Sequence, residues 1–409
     1  MCFLLPNSLR HIVCVWLLLF TLGAHAVDKP YGIFSSAGAA NDQIYENPQL
    51  RGVLIRVTWA QLEPTPGNYD FSALDLQVAK VESYGKQWSL ASPAGGVGTP
   101  DWLMDELGAD YIDYSFRGVP GYRLPLIWDP VVQARLKQLA EALAERYNDS
   151  ESLKLVYVSQ MTSNGLEGHL QGVNMTTMSN AGYSDEKWVE ASIANARNFA
   201  LAFTNKALAF EVHDINGSHE PPMEILDALW SDPELEQRVG AAVWWVSGKD
   251  SYQADLLAAL ADYPGDIYGQ VIGNSGQPER FSNEDYLSAL AQTKALGMRY
   301  LEPWDYEFRY SMLSANGAWD EDFARYNAWS EAVFVSERPA LNVTIQDGEI
   351  LLAWNAREGL RYRVDRSLNL SSWDEVAQLT PELDGAQQVI LDGLATAENR
   401  QFYRVVLID

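Results

Sequence analysis

The sequence predicts a (β/α)8 barrel followed by a small all-β sandwich. Three observations carry this. Short apolar runs bounded by Gly, Pro, Asn or Asp recur eight times between residues 31 and 304. Helix-period segments separate them, and after residue 338 the apolar pattern changes to period two. A chain of 409 residues has room for one large barrel and a module.

In chain order, residues 1–26 hold Arg10, an apolar run from Ile12 to Leu22 and the small-residue exit Ala24-His25-Ala26. That order marks a secretory signal peptide, and the run is shorter than the roughly 20 residues needed to cross a bilayer. A secreted or periplasmic protein with no stable membrane insertion is expected. Cys2 and Cys14 both fall inside this segment, so the mature chain should have no disulfide, thiolate nucleophile or Cys-based metal site.

The expected strands are 31–35, 52–58, 87–92, 153–159, 207–213, 240–246, 266–272 and 298–304. Helices are expected over 74–84, 130–147, 188–205, 222–235, 252–261, 283–296 and 322–334. The one at 130–147 is the clearest: Asp129 stands as N-cap and Pro130 takes the first helical position. The link after the first strand is short and poorly helical. An open doubly wound sheet is the competitor, but no Gly-rich phosphate loop follows strand one. The barrel, residues 27–337, should carry its chemistry on the loops after the strand ends. Three of these, 93–128, 160–187 and 305–320, are long and aromatic, which predicts an open aromatic cleft on one face.

Residues 338–409 read as a β-sandwich of fibronectin-like type. Leu341–Ile345 and Glu349–Trp354 alternate about the turn Gln346-Asp347-Gly348, and further strands are expected at 361–366, 387–391 and 401–407. Its pattern of Trp354, Tyr362 to Val364, Trp373 and Phe402 to Val405 resembles small C-terminal modules of bacterial secreted enzymes.

Charge narrows the ligand. With 29 Lys+Arg against 55 Asp+Glu the net charge is −26, and it becomes −27 without residues 1–26, whose one charge is Arg10. Nucleic acid and anionic lipid need clustered cations, so neither is expected as a partner. The 14 Trp and 20 Tyr suit a neutral, ring-shaped ligand. The mature histidines are His169, His213 and His219, and no His-x-His pair follows strand one, so no metal site is expected. No P-loop, dinucleotide fingerprint or Gly-x-Ser-x-Gly elbow is present, and no cofactor is implied.

The most informative stretch runs Leu54-Ile55-Arg56-Val57-Thr58-Trp59-Ala60-Gln61-Leu62-Glu63-Pro64, then Gly67-Asn68-Tyr69-Asp70-Phe71-Ser72-Ala73-Leu74-Asp75. With Ala91-Ser92-Pro93 and Pro100-Asp101-Trp102-Leu103, it resembles the barrel of glycoside hydrolase family 42 and related clan A glycosidases. The resemblance covers roughly residues 50–105. It implies retaining hydrolysis of a β-linked, galactose-containing oligo- or polysaccharide. It also implies a proton-donating Glu after an Asn at the end of strand four, and a nucleophilic Glu after strand seven. The sequence departs from both patterns.

Glycosidic cleavage needs two carboxyl groups, one to give a proton and one to attack or act as base. After strand four, Asn164 and Glu167 lie in the right loop with a Gly on either side. Glu167 is the candidate donor, provided apolar neighbours raise its pKa. Strand seven offers no Glu; Glu302 on strand eight, beside Trp304, is the candidate second carboxylate, with Glu279 and Asp305 as alternatives. Arg56 would hold that carboxylate ionised by bidentate hydrogen bonding, or else pair with a structural acid. Trp59 could offer a face to a sugar ring, while Glu63 and Pro64 fix their loop. Asn164, His213, Trp245, Gln270, Asn274, Trp304 and Asp305 are candidate sugar contacts, each with packing or loop anchoring as the plain alternative. Two rival functions stand beside the hydrolase: a non-catalytic sugar-binding protein on a degenerate barrel, and a surface adhesin working through residues 339–409.

Overall fold

The computed structural model describes residues 27–37, 42–309, 317–335, 342–346, 349–356, 360–367, 372–381, 385–391 and 402–407. The expected signal segment, the Asp347-Gly348 turn and the boundary at residue 337 lie outside them.

Eight parallel strands close into a barrel: β1 (Gly32–Ser35), β2 (Gly52–Arg56), β3 (Gln87–Ala91), β4 (Leu153–Tyr157), β5 (Ala207–Glu211), β6 (Val239–Val246), β7 (Ile267–Val271) and β8 (Met298–Glu302). β8 closes on β1, with Tyr300 opposite Gly32. All eight expected strands are present. The expected weak first link is a 3-10 turn, Asp42–Glu46. The later links carry α1 (Ser72–Ser83), α2 (Pro130–Tyr147), α3 (Asp185–Ala202), α4 (Glu220–Ser231), α5 (Ala254–Ala261), α6 (Leu287–Ala295) and α7 (Asp320–Phe334).

Local chemistry sets these elements. Asp129 Oδ1 accepts from the N–H groups of Val131 and Val132, satisfying donors that the first turn of α2 would leave bare. The buried face of α2 is Val132, Leu136, Leu139 and Leu143, spaced by four, three and four residues. Along each strand alternate residues point inward. Phe34, Leu54, Ala91, Leu155, Tyr157, Ala207, Ala209, Ala242, Trp244, Tyr268 and Tyr300 fill the barrel interior. Small alanines make room for the aromatic rings, so the barrel is a packed core and not a pore.

One element was not expected. Within the loop after β3, Tyr111–Phe116 and Val119–Pro125 form an antiparallel hairpin. Its signal is present in the sequence: Ile112, Tyr114 and Phe116 are buried while Tyr111, Asp113 and Ser115 are exposed. The turn residues Arg117 and Gly118 both have positive φ, the geometry that matches strand twist in a tight hairpin.

The C-terminal strands form two antiparallel sheets of three. β9 (Asn342–Gln346), β10 (Glu349–Ala356) and β13 (Gly385–Leu391) make one; β11 (Tyr362–Ser367), β12 (Asp374–Leu379) and β14 (Phe402–Leu407) make the other. Ile350, Leu352 and Trp354 from the first share a core with Tyr362 and Val364 from the second, and Ala328 and Ala332 of α7 pack against it. Among the described residues no helix is long and apolar enough to cross a membrane.

Candidate active site

The inward-facing alternation that fills the barrel brings polar side chains to the C-terminal strand ends. Arg56, Glu211, Trp244, Gln270 and Glu302 continue the interior series from β2, β5, β6, β7 and β8.

Glu167 hangs over this mouth on the loop after β4. Asn164 Oδ1 accepts from the N–H groups of Leu166 (3.1 Å) and Glu167 (2.9 Å), a local turn that sets the direction of the glutamate. Gly165 supplies the left-handed backbone, φ +85°, and packs so closely on Ala94 that a Cβ would lie 2.2 Å from its carbonyl oxygen. The unexpected hairpin holds the loop from the far side: Tyr114 donates its hydroxyl to the Ser163 carbonyl, and the Phe116 ring stacks on His169 at 6.1 Å.

His169 Nε2 lies 3.3 Å from Glu167 Oε2. The His169 ring meets His213 edge-on, centroids 5.2 Å apart. His213 Nδ1 in turn lies 3.0 Å from Glu211 Oε2. Two carboxylates are thus linked through two imidazoles. Glu211 is buried and accepts two further backbone hydrogens, from Gly168 at 2.5 Å and Trp244 at 3.1 Å. Burial alone would raise the Glu167 carboxyl, but the His169 hydrogen bond and the His213 charge outweigh it and hold the group below its ordinary range. A proton donor works best when held above the ordinary range, and the imidazoles act on Glu167 in the opposite direction.

Glu302 is the deeper acid. It has no exposed surface. The Tyr157 hydroxyl at 2.9 Å and the Tyr300 hydroxyl donate to Oε1, and Gln270 Nε2 donates to Oε2 at 2.5 Å. Ser89 Oγ lies 2.9 Å from the Tyr300 hydroxyl and extends the network. Burial raises the Glu302 pKa against these bonds and the charge of Arg56. These donors occupy both carboxylate oxygens and anchor Glu302 at the floor of the mouth.

Arg56 does not make the expected bidentate contact. It donates to Gln270 Oε1 at 3.1 Å, and Gln270 passes the contact to Glu302. The guanidinium lies over the Trp244 ring at 4.8 Å and is exposed to solvent.

Several expected sugar contacts have structural partners. Trp59 is fully buried, packs edge-on against Trp102, and donates to Glu63 Oε2 at 2.7 Å. Glu63 also accepts from Gly67 N–H and pairs with Arg135, so it fixes its loop as expected. Trp245 is buried on the outer side of β6 and donates to the Val212 carbonyl at 2.9 Å. Asn274 accepts from Gly276 N–H, Trp304 donates to the Val271 carbonyl, and Asp305 pairs with Arg309. Glu279 is exposed on the turn Pro278–Arg280. Glu211, Tyr157, His169 and Trp244 were not singled out from the sequence. Glu211 could have been: it is the third inward position after Ala207 and Ala209, and a lone acid there is unusual in a packed core.

Among the described residues no group of three or more His, Cys, Asp or Glu could hold a metal ion. The site's resources are an ionised, partly exposed carboxylate, a histidine pair, a buried second carboxylate and an arginine–tryptophan shelf.

A family model, glycoside hydrolase family 42 with the description beta-galactosidase, matches residues 46–181, about a third of the chain. The resemblance read from Arg56 to Trp102 is borne out over that segment, on a barrel of the kind it implied. No curated protein sequence matches. Among solved structures, an exo-beta-1,4-mannosidase from Opitutaceae bacterium strain TAV5 is similar at 13% identity with a TM-score of 0.45. The alignment covers 76% of this chain and 61% of that one, so this chain spans less than two thirds of that enzyme.

Proposed function

We propose that this glycoside hydrolase-type barrel is an exported enzyme that cleaves β-glycosidic bonds in a neutral oligo- or polysaccharide, with galactose-containing glycans the first class to test. The observation that carries the reading is the convergence of Glu167 and Glu211 on one histidine pair at the barrel mouth. Export rests on residues 1–26, and the division into a barrel to residue 337 and a sandwich from 338 rests on the change of sequence pattern.

In this reading ionised Glu167 attacks the anomeric carbon, giving a covalent intermediate and net retention. Glu211 supplies the second carboxylate. Arg56 and Trp244 form the shelf on which a sugar ring rests, and Gln270 with Glu302 holds that shelf in place. No cofactor takes part.

The test is a panel of plant, microbial and algal glycans incubated with the purified mature protein, scored by new reducing ends. Release of sugar by the wild type, its loss in Glu167→Ala, and recovery by added azide on an activated aryl glycoside are expected. A wild type that cleaves nothing on the panel removes the hydrolase reading.

A second reading is favoured by one departure: the ends of β4 and β7 carry Gln160 and Gln270, not glutamates. Gln160 Nε2 is spent on the Leu166 and Glu211 carbonyls. A sugar-binding protein on a degenerate barrel would bind the same glycans without releasing sugar, which calorimetry beside the reducing-end assay distinguishes.

A further inference from the structure

Glu167 stands partly exposed at the mouth, whereas Glu211 is sealed behind His213 with its oxygens taken up by Gly168, Trp244 and that ring. Resting on the hydrolase reading above, we propose that His213 is the proton-carrying catalytic residue of this site and that Glu211 is its positioning residue.

The geometry is that of an oriented imidazole. Glu211 is locked by three N–H donors, those of Gly168, Trp244 and His213. A carboxylate so fixed fixes the ring bound to it, and with Nδ1 spent on Glu211 the transferable proton sits on Nε2. Nε2 makes no hydrogen bond among the described residues, whereas Nδ1 does. The ring is clamped edge-on between His169 and Trp245, centroids 5.2 Å and 6.0 Å away. The side chain is 8% exposed. It is therefore largely shielded from water.

The charges around the ring favour a stored proton. Glu211 faces it from its own strand, Glu167 and His169 from the loop after β4, and Asp214 from its own loop, where His219 also acts on Asp214. Tyr252, from the segment after β6, lies in the field of Glu211, Glu167 and Asp214 and packs on Trp245. Burial would lower the His213 pKa, but the Glu211 charge and hydrogen bond, with Glu167 and Asp214 behind them, outweigh it and raise it above the usual imidazole range. The same cation helps to hold Glu167 ionised.

The proton on Nε2 passes to the glycosidic oxygen as the bond from that oxygen to the anomeric carbon breaks. The bonding pair stays on the leaving oxygen, which departs as an alcohol. A Glu167 oxygen forms the new bond to the anomeric carbon. In the second half, neutral Nε2 takes a proton from water as the water oxygen attacks that carbon, and Glu167 leaves as the free carboxylate. The sum is water added across one glycosidic bond.

The experiment compares wild type, His213→Gln and Glu211→Gln on two substrates, a natural glycan and an aryl glycoside whose leaving group needs no proton. Imidazole titration by NMR is followed in parallel. General acid–base catalysis is typically worth 10²–10⁴-fold. We expect His213→Gln to lose about 100-fold or more in kcat/KM on the glycan but little in kcat/KM on the activated glycoside, whose kcat falls because the ring no longer deprotonates the attacking water. We expect Glu211→Gln to move the alkaline limb of kcat/KM, and the NMR midpoint of His213, to lower pH. Equal losses in kcat/KM on both substrates, or an unmoved limb, overturn the donor role while leaving the hydrolase standing. A wild type inactive on both substrates overturns the hydrolase reading and the donor with it.

Discussion

The backbone N–H of Gly168 donates to Glu211 Oε2 at 2.5 Å, so the residue beside Glu167 is fastened to a carboxylate on the barrel wall. The loop after β4 thus takes its position from β5, and Glu167 and Glu211 are tied together by one contact. A Cβ at position 168 would lie 2.8 Å from the Glu211 carbonyl oxygen and 3.0 Å from the His213 nitrogen, both backbone atoms.

Gly168→Ala should therefore displace the loop. Overpacking of this kind costs about 1–3 kcal/mol, and the movement of Glu167 should lower turnover more than it lowers stability. Urea unfolding beside kcat/KM checks this; a variant with wild-type turnover would show that the fastening is dispensable.

Glu302→Leu tests the floor. The change strands the Tyr157 and Tyr300 hydroxyls and the Gln270 amide, which all donate to the carboxylate. Each orphaned buried donor costs about 1–3 kcal/mol, so a loss of about 3 kcal/mol or more is expected in chemical unfolding. An unaltered midpoint would mean that the network relaxes freely.

Stability should respond to pH in two opposite windows. Glu167 has its folded pKa lowered from 4.5, so its contribution is present above that value and is lost as pH falls through the folded pKa. His213 has its folded pKa raised from 6.5, so its contribution is complete below that value and is lost as pH rises through the folded pKa. The stability difference between wild type and His213→Gln should shrink on going from pH 6 to alkaline pH, read from unfolding free energies across that range. A difference that grows with pH would reverse the assignment.

Trp59→Phe separates a core residue from a sugar platform. Trp59 is buried and its indole N–H serves Glu63. The variant should lose about 1–2 kcal/mol of stability with KM unchanged. A raised KM at unchanged stability would return Trp59 to the cleft.

The barrel was readable from one dimension because its signals are local. Apolar runs of five to seven residues, the Asp129-Pro130 helix start and the family pattern around Arg56 each lie within a few turns of chain, and burial follows from them. The hairpin at 111–125 is equally local, since its apolar alternation and Arg117-Gly118 turn lie within one short stretch of the aromatic loop. The site was less readable. Loop membership put Glu167 after β4, but the charge around it is set by His169, two residues along, and by His213, 46 residues along. Trp244 and Trp245 are adjacent and chemically alike; a strand's two-residue repeat sends one to the mouth and the other to the outer core. Glu302 and Glu211 are likewise both strand-end glutamates, yet one is capped by tyrosines and the other by an imidazole. Secondary structure is written in neighbouring residues, whereas protonation and access are set by contacts that closure of the cylinder alone creates.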